Sequence, residues 1–405
     1  MEGYNKKVIM SYWTICRMKT TKKIYVKVSI IFLLGGILLF SSCEKEENQK
    51  IEANRKTLFM YLPWSSNLTN YFYNNISDLE KCITKIGLNN EKVIVFISTG
   101  STEAMMFEIV SSHGRCKREI LKKYKSPPFT TIDGITAILN DVKAFAPASV
   151  YTMIIGCHGM GWLPVYEMKV RSAPHMKMHW EYQGVPLTRY FGGLTAEYQT
   201  DIKSLASGIA NAGMKMEYIL FDDCYMSSIE VAYELKDVTK YLIGSTSEMM
   251  AYGMPYAAIG EYLLGNPDYQ SGCEEFYNFY STYEIMPCGT LAVTDCSELE
   301  NMAAIIKSIN SKYSFDKSLR GTIQRLDGYT PVIFYDFADY ITSLCNDPIL
   351  LNQFREQLNH LVPYKTHTKN LSACNSGLFP SNAVNELART FPSAFTSIGT
   401  IWALR

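Results

Sequence analysis

The chain predicts an α/β fold, with a mainly parallel central sheet of about six strands, helices on both faces and a mainly helical C-terminal extension. Two observations lead there. From residue 56 onward, short apolar runs alternate with amphipathic stretches. The runs are continuously apolar, as in parallel strands buried on both faces. From about residue 297 the pattern turns mainly helical, with one aromatic stretch at 331–340, P-V-I-F-Y-D-F-A-D-Y.

Taken in order, K-T-L-F-M-Y-L-P-W (56–64) is a buried strand, and N-Y-F-Y-N-N-I-S-D-L-E-K-C-I (70–83) a helix. E-K-V-I-V-F-I-S-T-G (91–100) is a β-branched strand with a glycine exit, and 107–121 reads as a hairpin around His113-Gly114. Residues 133–145 place Ile135, Ile138, Leu139 and Val142 on one helical face. V-Y-T-M-I-I-G-C-H-G-M-G-W (150–162) is a strand that stops in a glycine-rich turn. A basic, irregular stretch follows at 163–193, with Lys169, Arg171, Lys177 and Arg189. A loop of that length in a compact domain is usually functional or mobile. Helix 201–212, strand 216–224, helix 228–236 and strands 240–245 and 290–296 complete the series.

The N-terminus stands apart. A basic segment (19–27) precedes thirteen apolar residues (28–40) and then Ser41-Ser42-Cys43. Thirteen residues fall short of the roughly 20 that span a bilayer. The pattern is that of a secretory signal over 1–42, with Cys43 in the place of a lipidated cysteine. Plain secretion and a retained anchor are the other readings of the segment. Met18 sits where such signals begin, so 1–17 reads as an over-long start. Residues 43–55 form an acidic tether, 56–296 the main domain and 297–405 an extension packed on the sheet. A lipid anchor puts the protein on the cell envelope, at the outer membrane or cell surface.

The formal net charge is zero, but removing 1–42 leaves 32 basic and 38 acidic side chains. No Lys/Arg stripe interleaved with aromatics is present, which argues against a nucleic-acid partner. Nine cysteines remain after Cys16 and Cys43, with no C-x-x-C pair and no histidine at ligand spacing from a cysteine pair. That disfavours a zinc site, a disulfide framework and a thiol redox couple.

In open α/β sheets the functional crevice lies at the carboxyl ends of the strands. One strand ends at Cys157-His158-Gly159, another at Asp222-Asp223-Cys224. If these strands are neighbours, His158 and Cys224 share the crevice, the imidazole managing the proton while the thiolate attacks. Cys224 would precede a helix whose N–H groups favour the thiolate. The N–H groups of Gly159 and Cys224 would form an oxyanion hole. Strand alternation turns Asp222 toward the crevice with Cys224, while Asp223 caps the helix or packs away and Cys157 is structural. On spacing alone, His158 and Cys224 are equally consistent with buried structural positions.

These stretches resemble the clostripain family of cysteine peptidases, relatives of the caspases, gingipains and legumains. The resemblance rests on residues 146–162 (with H-G-M-G-W), 221–237 (with D-D-C-Y-M) and 241–256, with weaker echoes at 60–68 and 332–338. It implies a caspase-like fold and hydrolysis of peptide or protein substrates, with His158 as general base and Cys224 as nucleophile. Gly159 would serve the oxyanion hole, and Asp222 the pocket for the side chain before the scissile bond. Many relatives cleave after Arg or Lys and mature by self-cleavage, here expected within 163–193. Two departures stand out. Ser65-Ser66 precede Asn67 where the family carries an aspartate, and Met249, Met250, Ala251 and Tyr252 fill a loop that is usually acidic. The second leaves room for a less selective pocket, with Glu248 as a second carboxylate or a structural residue. No cofactor is expected. Calcium dependence occurs in relatives, but no D-x-D-x-D-G loop is present. The competing reading is a non-catalytic surface binding lipoprotein on a peptidase-like scaffold.

Overall fold

The computed structural model describes residues 54–163, 165, 192–193, 196–285, 287–327, 332, 334–374, 377–380 and 399–400. The leader, Cys43, nearly all of the tether and most of the 163–193 stretch lie outside the described residues.

The apolar runs become strands where expected. These are β1 (Asn54–Leu62), β2 (Glu91–Gly100), β3 (Glu103–Ser112), β4 (Arg115–Lys125), β5 (Ala148–Ile155), β6 (Met216–Phe221), β7 (Thr239–Gly244) and β8 (Thr290–Asp295). Later come a two-residue strand, β9 (Tyr335–Asp336), and β10 (Tyr364–His367). The expectation of about six mainly parallel strands is corrected. Among the described residues the main sheet has nine strands in the order β10-β8-β7-β6-β5-β1-β2-β3-β4 and is mixed. Among the described residues, the parallel pairings are those that join β2, β1, β5, β6 and β7. β3 and β4 are added at one side, and β8 and β10 at the other, all antiparallel.

The physical reason lies in what local sequence encodes. Strands buried on both faces write continuous apolar runs, but direction and neighbour choice leave no such mark. β4, R-C-K-R-E-I-L-K-K-Y-K, is a charged outer strand, which blunts further pairing. Its turn with β3 is the expected one: His113 and Gly114 both have positive φ, at 51° and 67°, as a tight hairpin with native twist requires.

Helices α1 (Thr69–Ile86), α2 (Ile132–Phe145), α3 (Ile202–Asn211) and α4 (Ile229–Leu235) connect the parallel strands or lead into them. After β7 come α5 (Tyr256–Leu263) and α6 (Tyr269–Ser281), and after β8 come α7 (Leu299–Asn310), α8 (Phe337–Leu344) and α9 (Pro348–Leu361). β1 shows how the sheet divides the core. Leu58, Met60 and Leu62 pack in one layer with α1, α5 and α6. Phe59 and Tyr61 pack in the other, with α2, α3, α4 and the later helices. Period-two alternation sends successive side chains to opposite layers. α1 presents Phe72, Ile76, Leu79 and Ile83 at helical spacing, each fully buried and each worth roughly 2 kcal/mol.

Candidate active site

β5 and β6 are parallel neighbours whose last paired residues are Ile155 and Phe221. The contact continues past the strands. The Asp222 N–H donates to the Ile155 carbonyl at 2.8 Å. The Cys157 N–H donates to Asp223 Oδ1 at 2.6 Å, and the Cys157 thiol to Oδ2 at 3.4 Å. Gly159 lies against Cys224 so closely that a Cβ on it would sit 2.2 Å from the Cys224 carbonyl oxygen and 2.8 Å from its nitrogen. Glycine is required there by close approach of two backbones. The loops carrying His158 and Cys224, 66 residues apart in the chain, are thus in direct contact on either side of the histidine.

His158 is 1% exposed. Its Nε2 is 2.8 Å from Asn67 Oδ1, and its backbone N–H donates to the Gly192 carbonyl at 3.2 Å. A proton on Nε2 would be donated to this amide oxygen and would leave Nδ1 as the basic nitrogen. Asn67 comes from the loop after β1, where Ser66 has a φ of 63° and the Asn67 N–H donates to the Ser65 carbonyl. In the sequence Asn67 stands out only as the neighbour of a departure from the family pattern. Nothing in local spacing indicates that it reaches the imidazole.

Cys224 is fully buried, and the Met249 N–H donates to its sulfur at 3.2 Å. The helix expected at 228–236 forms, but its first residue stands five positions beyond Cys224. α4 starts at Ile229 with Ser228 as its N-cap, accepting from the Val231 N–H. The intervening turn passes through Tyr225, whose φ is 57°, unusual for a residue with a side chain and costing about 1–3 kcal/mol. The backbone donor at the sulfur therefore comes from the loop after β7, not from a helix terminus. Phe334, from beyond residue 297, stacks on Tyr225 with ring centroids 4.3 Å apart and planes 1° from parallel. It also lies against Gly161, whose φ is +58° and where a Cβ would meet the phenylalanine ring at 2.8 Å.

The two aspartates divide as strand alternation predicts, though past the strand end. Asp222 is buried on the side of the β7 loop, accepting from the Met254 N–H at 2.8 Å and the Tyr256 hydroxyl at 2.9 Å. Asp223 faces Cys157 and does not cap the helix. Glu248 is 2% exposed, directly before Met249, and its charge helps to raise the Cys288 thiol. Burial pushes Cys273, Cys288 and Cys296 up to about 12 and Cys82 up to about 11, the behaviour of inert packed thiols. Among the described residues, no three His, Cys, Asp or Glu side chains gather as a metal site.

Comparisons with known proteins agree with this architecture. The clostripain family model matches residues 60–376. A secreted C11 cysteine protease from Bacteroides thetaiotaomicron, "iotapain", is 57% identical, covering 82% of this chain and 91% of that one with a TM-score of 0.75. A clostripain from Bacteroides thetaiotaomicron ATCC 29148, in complex with a peptide inhibitor, is 64% identical over 48% of this chain and 86% of that one, with a TM-score of 0.47. An inactive zymogen C11 protease from Parabacteroides distasonis is 23% identical, covering 86% and 93% with a TM-score of 0.68. No curated protein matches. A family match over most of the length, and a relative of the same class 57% identical over 82% of this chain, make this chain a cysteine peptidase of the clostripain family.

Proposed function

We propose that the chain is an endopeptidase working through a dyad of Cys224 and His158. The observation that carries this reading is the contact of Gly159 with the Cys224 backbone, which brings the ends of β5 and β6 together. Nδ1 of His158 takes the Cys224 thiol proton, and the thiolate attacks the scissile carbonyl carbon. The oxyanion forms toward the N–H groups of Gly159 and Cys224. The imidazolium returns its proton to the leaving amine, and water then hydrolyses the thioester. Asn67 holds the imidazole through Nε2. Asp222, with Glu248 of the loop after β7 as a second carboxylate, gives the pocket negative charge, which favours Arg or Lys before the scissile bond.

His158 and Cys224 are both buried, so covering chain must move before a peptide reaches the sulfur. A self-cut within 163–193 supplies that movement. Gly192, at the end of that stretch, is hydrogen-bonded to His158 itself, so a break upstream acts directly on the histidine loop. The relative described as secreted supports export of this chain, and Cys43 is the lipid attachment point that holds it to the envelope. The binding-scaffold reading is set aside because the chain is a cysteine peptidase by family.

The test is a peptide-library cleavage profile of wild type, Cys224→Ala and His158→Ala, with labelling by a peptide electrophile. Wild type should cut and label while both variants do neither and keep their fold; hydrolysis by Cys224→Ala ends the reading. Cys43→Ala should move the protein from the membrane fraction to the soluble fraction.

A further inference from the structure

We infer that Asp223 is a positioning residue for the reaction, tying the histidine loop to the cysteine loop from the far side of the sheet. The inference rests on the Cys224–His158 reading above. Asp223 is fully buried, and its carboxylate takes the Cys157 N–H at 2.6 Å and the Cys157 thiol at 3.4 Å. Both partners stand one residue before the groups that react: Cys157 before His158, and Asp223 before Cys224. The bond lies past the last rung of the β5–β6 ladder, between the Asp222–Ile155 backbone bond and the Gly159–Cys224 contact.

The sides of the sheet separate this bridge from substrate. Cys157 packs in the layer with α2 and α3, whereas Cys224 and Tyr225 pack in the layer with α1 and α5. Asp222 and Cys224 both turn to the loop after β7, and Asp223 alone turns the other way. A hydrogen bond to an ionised carboxylate is about twice as strong as a neutral one. A buried carboxylate would be costly here without such donors. Helix capping does not account for the residue, because Ser228 fills that position. Asp223 therefore holds the two loops together through Cys157, whose layer lies opposite that of Cys224.

Removing the bridge lets the loops part while the pocket stays intact, so the expected loss is in kcat with KM little changed. A misplacement of about 1 Å costs on the order of 100-fold. Asp223→Ala is expected to lose about that factor in kcat. Asp223→Asn keeps an oxygen for the Cys157 N–H and should recover at least about tenfold of it. The pH dependence of Cys224 inactivation by a peptide electrophile gives a second readout. It should shift in Asp223→Ala, as the imidazole is displaced relative to the thiol, and stay near wild type in Asp223→Asn. If Asp223→Ala does not fold, Asp223→Ser, with an acceptor on a shorter arm, takes its place with the same expectation. Wild-type kcat in the folded Asp223→Ala or Asp223→Ser protein overturns the proposal, as does Asp223→Asn no faster than Asp223→Ala. Cys224→Ala separates the two readings. Hydrolysis retained there overturns the dyad, whereas an inactive Cys224→Ala beside a fully active Asp223→Ala overturns the bridge alone.

Discussion

Gly159→Ala adds one methyl group at the point where the two loops meet. Its Cβ would stand 2.2 Å from the Cys224 carbonyl oxygen, 2.8 Å from the Asp223 Cβ and 2.8 Å from the Cys224 nitrogen. Two of these three atoms are backbone, so no side chain can rotate aside to relieve the contact. Ordinary contact begins near 3.4 Å, so the His158 and Cys224 loops must part by about 1 Å. Overpacking of this kind costs about 1–3 kcal/mol of stability, which a chain of this size tolerates. The kinetic effect is larger. Misalignment of about 1 Å lowers kcat/KM on the order of 100-fold, and any displacement of the Gly159 N–H removes an oxyanion donor as well. The assay is kcat/KM on a fluorogenic peptide, with calorimetry to confirm a folded protein. Activity within about threefold of wild type in a folded Gly159→Ala variant would refute the argument that this backbone contact sets the dyad.

Phe334→Ala removes a buried ring stacked on Tyr225 and is expected to cost about 3–5 kcal/mol in urea unfolding, with Phe334→Tyr much closer to wild type. Asp222→Ala leaves the Met254 N–H and Tyr256 hydroxyl without that acceptor and should cost about 1–3 kcal/mol. It should also lower the preference for Arg or Lys over neutral side chains by about tenfold; an unchanged preference would make Asp222 a loop brace only. Lys56 is buried, donating to the Leu263 and Gly265 carbonyls, and burial lowers its pKa from 10.5 to about 8. Between those values the unfolded chain binds more protons than the folded one, so stability rises with pH from about 8 to 10.5, by roughly 3 kcal/mol in all. Lys56→Met should flatten that rise in denaturation measured across the window.

Much of the site is legible in the amino-acid sequence. Cys157-His158-Gly159 and Asp222-Asp223-Cys224 stand out because apolar runs end there in reactive groups. The opposite facing of Asp222 and Asp223 follows from alternation even though the ladder stops at Phe221. The donor at the Cys224 sulfur is not legible there. The helix start is signalled by nearby residues and falls where expected, but the turn through Tyr225 separates it from Cys224, and Met249 reaches the sulfur from another loop. Asn67 and Phe334 escape notice as parts of the site for the same reason: each reaches it from a distant segment, and neither alters the periodicity around itself.

The sequence by itself determined the buried strands, the helical faces between them, the His113-Gly114 turn and the two reactive strand ends. Each is written in residues a few positions apart, through side-chain period, turn chemistry or the abrupt end of an apolar run. Only the tertiary structure decided that the sheet has nine strands, that four of them run antiparallel to their neighbours, and which distant groups hold the histidine and the cysteine. Those choices depend on which surfaces meet when the chain packs, and a contact between far-apart residues leaves no repeating pattern in either segment.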